Sequence, residues 1–332
     1  MDRLTLHIGL HKTGTSTIQN TLAHHPALPG FTYIQLRHPN GSLAILQGFS
    51  ARFTTRMAAR TGQMPTEQDL ALLRHKARLE FARRIAAVPT GHGLISAEAL
   101  SFLSEDELRK LRQMAAPQAR RLDAIAYVRE PRAFLQSVFQ QLLRNQMPRA
   151  LLELPYRDKL AAYDRVLGPG NMTLRLYDRA RLPQGCVMRD LAGWLGLEID
   201  PTLIRPSNPG LSRPAIELLY CYRSQCPRPA PRDPLIIDRL LGLPGPALRF
   251  SDRLYRHHAA PWQDQIDWLQ ERLGGALRLS PEEEGAIDSF DALLAPSPEA
   301  LDWLGRETGR ATGPLRGDPA AIAAAVQSLK EA

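Results

Sequence analysis

Leu4-Thr5-Leu6-His7-Ile8-Gly9-Leu10-His11-Lys12-Thr13-Gly14-Thr15-Ser16-Thr17-Ile18-Gln19 opens as a mostly apolar run with Thr5 and His7 interleaved. It then passes through a loop with two glycines, one lysine and four hydroxyl side chains, and goes on with Ile18 and Leu22 four residues apart. The order reads as strand, glycine-containing loop, helix. A junction of that kind suits an anion, because the first N–H groups of the helix have no partner within it and the helix dipole favours negative charge there. Lys12 adds a full positive charge, and Thr13, Thr15, Ser16 and Thr17 add hydroxyl donors. The same residues also read as a plain glycine turn with a solvated lysine.

The loop is close to a Walker A motif and departs from it at the lysine. That motif needs Lys directly after its second glycine, followed by Ser or Thr. Gly9 and Gly14 have the required separation, but Thr15 follows Gly14 and the lysine stands at position 12. A kinase or nucleotide hydrolase of the usual P-loop type is disfavoured, and the chain shows no magnesium-binding acid for one.

Working outward, Pro29-Gly30 turns the chain into a short strand over 31–36, and 37–65 reads as a loop broken by short helix. Thr66 with Asp69 caps a helix reaching about Val88. Gly93 to Glu98 reads as a strand ending in polar residues, and Ser104-Glu105-Asp106-Glu107 caps a helix through Met114. Leu122 to Val128 is an apolar strand followed by Arg129-Glu130-Pro131 and a helix to about Asn145. Further helices fall near 157–166, 186–196, 211–225 and 262–273, with a strand over 172–177. Residues 226–246 are proline-rich and read as a lid or irregular connector; 305–319 are rich in Gly, Arg and Pro, with an alanine-rich helix after them. Alternating strands and helices imply an α/β fold, a P-loop-like three-layer arrangement with a mainly parallel sheet flanked by helices, plus a helical C-terminal extension. Ligands in such sheets bind at the carboxyl ends of the strands.

The chain has 332 residues, 44% hydrophobic and 23% charged, which suits a globular protein with a substantial core. No apolar run is long enough for a membrane span, and a strand starting near residue 4 leaves no room for a signal peptide, so a cytoplasmic location is expected. The net charge of +8 is carried mostly by arginine and suits an anionic ligand. No nucleic-acid recognition module or basic–aromatic stripe accompanies it. Three cysteines, with no Cys-x-x-Cys pair, read as buried thiols, and neither a disulfide framework nor a metal site is expected.

Lys12-Thr13-Gly14-Thr15-Ser16 after an apolar strand resembles the 5′-phosphosulfate loop of sulfotransferases that use 3′-phosphoadenosine 5′-phosphosulfate (PAPS), and the run from His7 to Gln19 looks most like the bacterial type. Arg129 at a strand end, with Ser137 eight residues on, matches the 3′-phosphate site of that superfamily. Ile95-Ser96-Ala97-Glu98 resembles a Ser-x-Glu segment, Asn208 to Ser212 an Asn-x-x-x-Ser stretch, and Trp268 to Gly274 a C-terminal helix of the relatives. The resemblance implies a sulfotransferase-like catalytic domain over 1–300 with a helical tail over 301–332. It implies direct in-line transfer of a sulfuryl group from PAPS to a hydroxyl or amine of a carbohydrate, lipid or small metabolite, with no metal. Lys12 would stabilise developing charge, and Thr13, Gly14, Thr15, Ser16 and Thr17 would hold the phosphosulfate. Glu98 or, second, His11 would be the base. A P-loop kinase or hydrolase, and a non-catalytic nucleotide-binding protein of the same fold, stand as the other readings.

Overall fold

The computed structural model describes residues 1–10, 12–55, 64–148, 154–168, 170–205, 210–228, 230, 233–258, 262–279, 281 and 285–330. The chain forms two compact units. The first, 1–130 with 155–207 and 267–277, holds a five-stranded sheet. Its strands are β1 (Arg3–Ile8), β2 (Phe31–Tyr33), β3 (His92–Ala97), β4 (Arg121–Val128) and β5 (Met172–Leu176), and every pairing is parallel in the order β2-β3-β1-β4-β5. The α/β class expected from the sequence is found.

The order has a mechanical consequence. Parallel crossovers are right-handed, so a crossover running one way across the sheet lies on one face and the reverse direction uses the other. The β1-to-β2 connection contains α1 (Thr15–His24) and runs opposite to the β2–β3, β3–β4 and β4–β5 connections. These carry α2 (Ser42–Phe49), α3 (Glu67–Ala86), α4 (Glu105–Ala115) and α6 (Tyr156–Leu167). Accordingly α1 packs on α7 (Val187–Leu195), through Ile18 and Leu22 against Val187, Met188 and Leu191, while α2 packs on α3 and α4 on α6. The connections diverge between β1 and β4, which opens a crevice at the carboxyl ends of those two strands.

Local chemistry sets the boundaries. Thr66 Oγ1 accepts from the Asp69 amide at 3.1 Å, and Ser104 with Glu107 forms a reciprocal capping box. Leu4, Leu6 and Ile8 of β1 are fully buried. The strand expected over 31–36 is shorter, ending at Tyr33, with one more ladder bond from the Ile34 amide to Leu94 O before Arg37 turns left-handed at φ 73°. Part of the 37–65 loop, residues 56–63, lies outside the described residues.

The second unit, 131–154 with 208–266 and 278–332, is helical. It contains α5 (Pro131–Asn145), α8 (Arg213–Gln225), α9 (Asp233–Leu240), α10 (Asp252–His258), α12 (Pro298–Thr308) and α13 (Pro319–Ser328); α11 (Gln263–Arg272) crosses the division. The connector reading of 226–246 is corrected by α9, whose Pro234 sits in the first turn, where a missing N–H costs nothing. The alanine-rich α13 packs on α8, burying Ile322, Ala325 and Val326. Among the described residues, no helix is long and apolar enough to cross a membrane.

A buried ion pair braces this unit. Arg223 is wholly buried, donates to Asp233 at 2.6 Å and to the carbonyls of Leu143 and Arg144 at 3.0 and 2.6 Å, while Tyr222 Oη donates to the other Asp233 oxygen at 2.9 Å. Asp233→Ala leaves a buried guanidinium without its counter-charge, so urea unfolding should show a loss of about 3–5 kcal/mol.

Candidate functional site

The crevice is built from the ends of β1, β3 and β4. Parallel pairing sets Ile8 beside both Ala97 and Ala126, and the Gly9 amide donates to Ala97 O at 3.1 Å. Gly9 and Glu98 therefore leave the sheet at one level, with Arg129 just beyond the end of the adjacent β4. A Cβ on Gly9 would lie 2.7 Å from Thr15 Cγ2 and 3.0 Å from Glu98 Cγ, so the loop passes directly against Glu98. Glu98 is half-buried and begins a five-residue 3₁₀ segment, Glu98–Phe102.

The loop reaches α1 by a left-handed route. Lys12 has φ 62° and Gly14, the N-cap of α1, has φ 74°. For lysine that conformation costs about 1–2 kcal/mol, a strain of the kind held at functional sites. It leaves Lys12 exposed. The hydroxyls divide into two sets. Thr13 Oγ1 donates to Leu10 O at 2.8 Å and Thr15 Oγ1 to the same carbonyl at 3.4 Å, so both are buried braces of the loop. Ser16 is exposed, and Thr17 is buried. The Thr17 and Ile18 amides both turn onto Gly14 O, at 2.9 and 3.2 Å.

Tyr177, expected only as the end of a strand, joins the loop to Arg129. Tyr177 follows β5 and donates its amide to Val128 O at 2.7 Å. Its ring lies against the loop, with Cε2 3.0 Å from where a Gly14 Cβ would be, and the Arg129 guanidinium lies over the ring at 5.4 Å. Arg179 Nε reaches Tyr177 Oη at 3.4 Å. Gly14 and Arg129 thus border one shared aromatic wall. Arg129 Nε is buried with no hydrogen-bond partner among the described residues. Burial lowers the pKa of this guanidinium, which stays cationic, and the positive charge of Arg179 acts in the same direction. A buried, unpartnered donor on a cation is chemistry that an anion satisfies.

Beneath the loop, His7 Nδ1 is 2.7 Å from Ser96 Oγ, which accepts from Gln19 Nε2 of α1 at 3.1 Å. His7 lies in the sheet as expected. His11 lies outside the described residues, as does Asn208. Ser137 is half-buried on α5, in the second unit. Among the described residues, no group of three or more His, Cys, Asp or Glu is placed to hold a metal ion, and Cys186, Cys221 and Cys226 are free thiols.

No protein-family model and no curated protein matches the chain. Among solved structures, the crystal structure of a sulfotransferase from Alicyclobacillus acidocaldarius is similar, at 18% identity and a TM-score of 0.33, over 65% of this chain and 90% of that one.

Two expectations follow from this geometry. Gly14→Ala places a methyl 2.6 Å from Val187 Cγ1 at a φ that alanine resists, so thermal unfolding should show a loss of more than about 1 kcal/mol. Burial holds His7 at a pKa of about 4, below the ordinary 6.5. Its contribution is complete above pH 6.5 and is lost as pH falls towards 4, because only the unfolded chain takes the proton readily. Urea titrations across that window should show stability falling by up to about 1.4 kcal/mol per pH unit from this group, and His7→Gln should flatten the slope.

Proposed function

We propose that the chain is a PAPS-dependent sulfotransferase, moving a sulfuryl group to a hydroxyl or amine of a carbohydrate, lipid or small-metabolite acceptor. The observation that carries the reading is Arg129, a cation with a buried unpartnered Nε, against the same Tyr177 ring that touches Gly14. The sequence resemblance at Lys12–Thr17 and at Arg129 supports it independently. The residues fit the nucleotide on two counts: Arg129 holds a buried donor without a partner among the described residues, and Lys12 is exposed on the loop that meets the same Tyr177 ring at Gly14.

In this reading Lys12 and the Thr15 and Ser16 amides at the start of α1 hold the 5′ end, and Arg129 takes the 3′-phosphate. PAPS supplies an activated sulfuryl group on its 5′-phosphate. Glu98, against Gly9, takes the proton of the acceptor as its oxygen or nitrogen bonds to sulfur. Lys12 stabilises the negative charge that gathers on the phosphate oxygen as its bond to sulfur breaks. Thr13 and Thr15 act by fixing the loop through Leu10 O. The left-handed backbone at Lys12 fixes the direction in which its side chain leaves the loop.

Thermal unfolding with 3′-phosphoadenosine 5′-phosphate (PAP) at a hundredfold excess over its dissociation constant should gain about 2.7 kcal/mol of stability. No shift with PAP together with a clear shift with magnesium-ATP overturns the reading in favour of a P-loop kinase or hydrolase. Lys12→Ala should cut turnover of labelled PAPS by about 10²–10³-fold while weakening PAP binding much less. Glu98→Gln should lose most turnover with PAP binding intact, and full activity in that variant removes Glu98 as the base.

A further inference from the structure

The Glu98–Phe102 segment carries a second cationic feature. Lys159 Nζ, on α6, lies 4.8 Å from the centre of the Phe102 ring, and the Arg52 guanidinium lies 5.4 Å from it. Lys159 is half-buried, and Arg52 is exposed. Among the described residues, neither makes an ion pair with a carboxylate. Glu107 does not serve Arg52: its two oxygens accept from the Ala51 and Ser104 amides, at 2.6 and 2.9 Å. Burial and the neighbouring Arg52 charge both lower the Lys159 pKa. Two like charges on one ring, one of them partly withdrawn from water, repel each other, and an aromatic face returns only part of what solvation gave.

The position is held firmly. Tyr163 of α6 donates to Leu100 O at 2.8 Å, in the middle of the segment. Tyr163 and Lys159 are four apart on one face of the same helix. One helix thus pins the segment and delivers the ammonium. Glu98 and Phe102 stand at its two ends, about 8 Å apart at the ~2 Å rise of a 3₁₀ helix.

We infer that Lys159 and Arg52 form a subsite for an oxyanion on the acceptor, a carboxylate or a sulfate ester. Placing the ligand on the acceptor rests on the sulfotransferase reading; the anion preference does not. The subsite selects a saccharide whose acidic group lies about one sugar ring from the group that reacts at Glu98. The anion cancels the Lys159–Arg52 repulsion and gains charge-assisted hydrogen bonds from both.

The test compares affinities, by NMR titration, for glucuronic acid, glucose 6-sulfate and neutral glucose in the wild type, Lys159→Gln, Lys159→Arg and Arg52→Gln. The expected result is a preference of tenfold or more for at least one acidic sugar, largely lost in both Gln variants and retained in Lys159→Arg. PAP-induced thermal stabilisation should be unchanged in all of them. No preference in the wild type, or one that survives both Gln substitutions, overturns the subsite. If Lys159→Gln fails to fold, the exposed Arg52→Gln decides alone. Absence of PAP stabilisation with the preference intact overturns the sulfotransferase reading and leaves the anion subsite standing.

Discussion

The left-handed turn at Lys12 and Gly14 sets the geometry of the crevice. The chain must leave a buried central strand and enter a helix on one face of the sheet within a few residues, and positive φ at both positions lets it do so. Glycine is required at 14, since Val187 and Tyr177 close in to distances that exclude a Cβ. The same approach brings the Tyr177 ring against the start of α1. Tyr177 is tied through its amide to the end of β4, so backbone hydrogen bonding anchors the residue whose ring carries the Arg129 guanidinium. Lysine at 12, where glycine would be easier, keeps a strained backbone and a charge together.

A second constraint is a polar stripe under α1 and α7. Thr5 and His7 point to one face of β1, where strands usually carry apolar groups. Thr5 Oγ1 donates to Asp123 at 2.5 Å, Arg3 Nε reaches the same carboxylate at 2.5 Å, and Arg3 also lies over Trp194 at 4.6 Å. One step along, His7, Ser96 and Gln19 continue the stripe. Buried polar groups are tolerated when paired, and pairing across three strands and a helix favours one register over its slipped alternatives. The Gln19–Ser96 contact ties α1 to β3 two residues before Glu98.

Much of this was legible in the sequence. Apolar runs marked β1, β3 and β4, alternation of apolar and polar residues marked β5, and Thr66 and Ser104 marked helix starts, because strands and caps are local signals. The loop and Arg129 were legible as types. Their sharing of a wall was not, since Tyr177 is far from both in the chain and meets them only through sheet order. The meeting of Arg52 with Phe102 and Lys159 was hidden for the same reason. Helix α9 was missed because proline was read as a breaker, although Pro234 lies in a first turn. Helix α12 was obscured by Gly305, which lies inside it and lets the following loop approach, with Arg310 O 2.9 Å from a Cβ position there. Ser16 and Thr13 read alike as hydroxyl donors, yet one faces solvent and the other braces the loop, a difference set by the turn itself. The division that sets α5 apart from the sheet depends on long-range contacts that no local pattern carries.

On the proposed sulfotransferase reading, Arg129 takes the 3′-phosphate of a nucleotide whose 5′ end rests on the Lys12 loop. Calorimetric affinities for PAP and for 5′-AMP, which lacks the 3′-phosphate, test it directly in the wild type and in Arg129→Gln. The expected result is a wild-type preference for PAP of roughly 10–100-fold, the worth of a charge-assisted contact, collapsing towards unity in the variant while 5′-AMP binding stays as it was. An undiminished preference in Arg129→Gln, or none in the wild type, would contradict it.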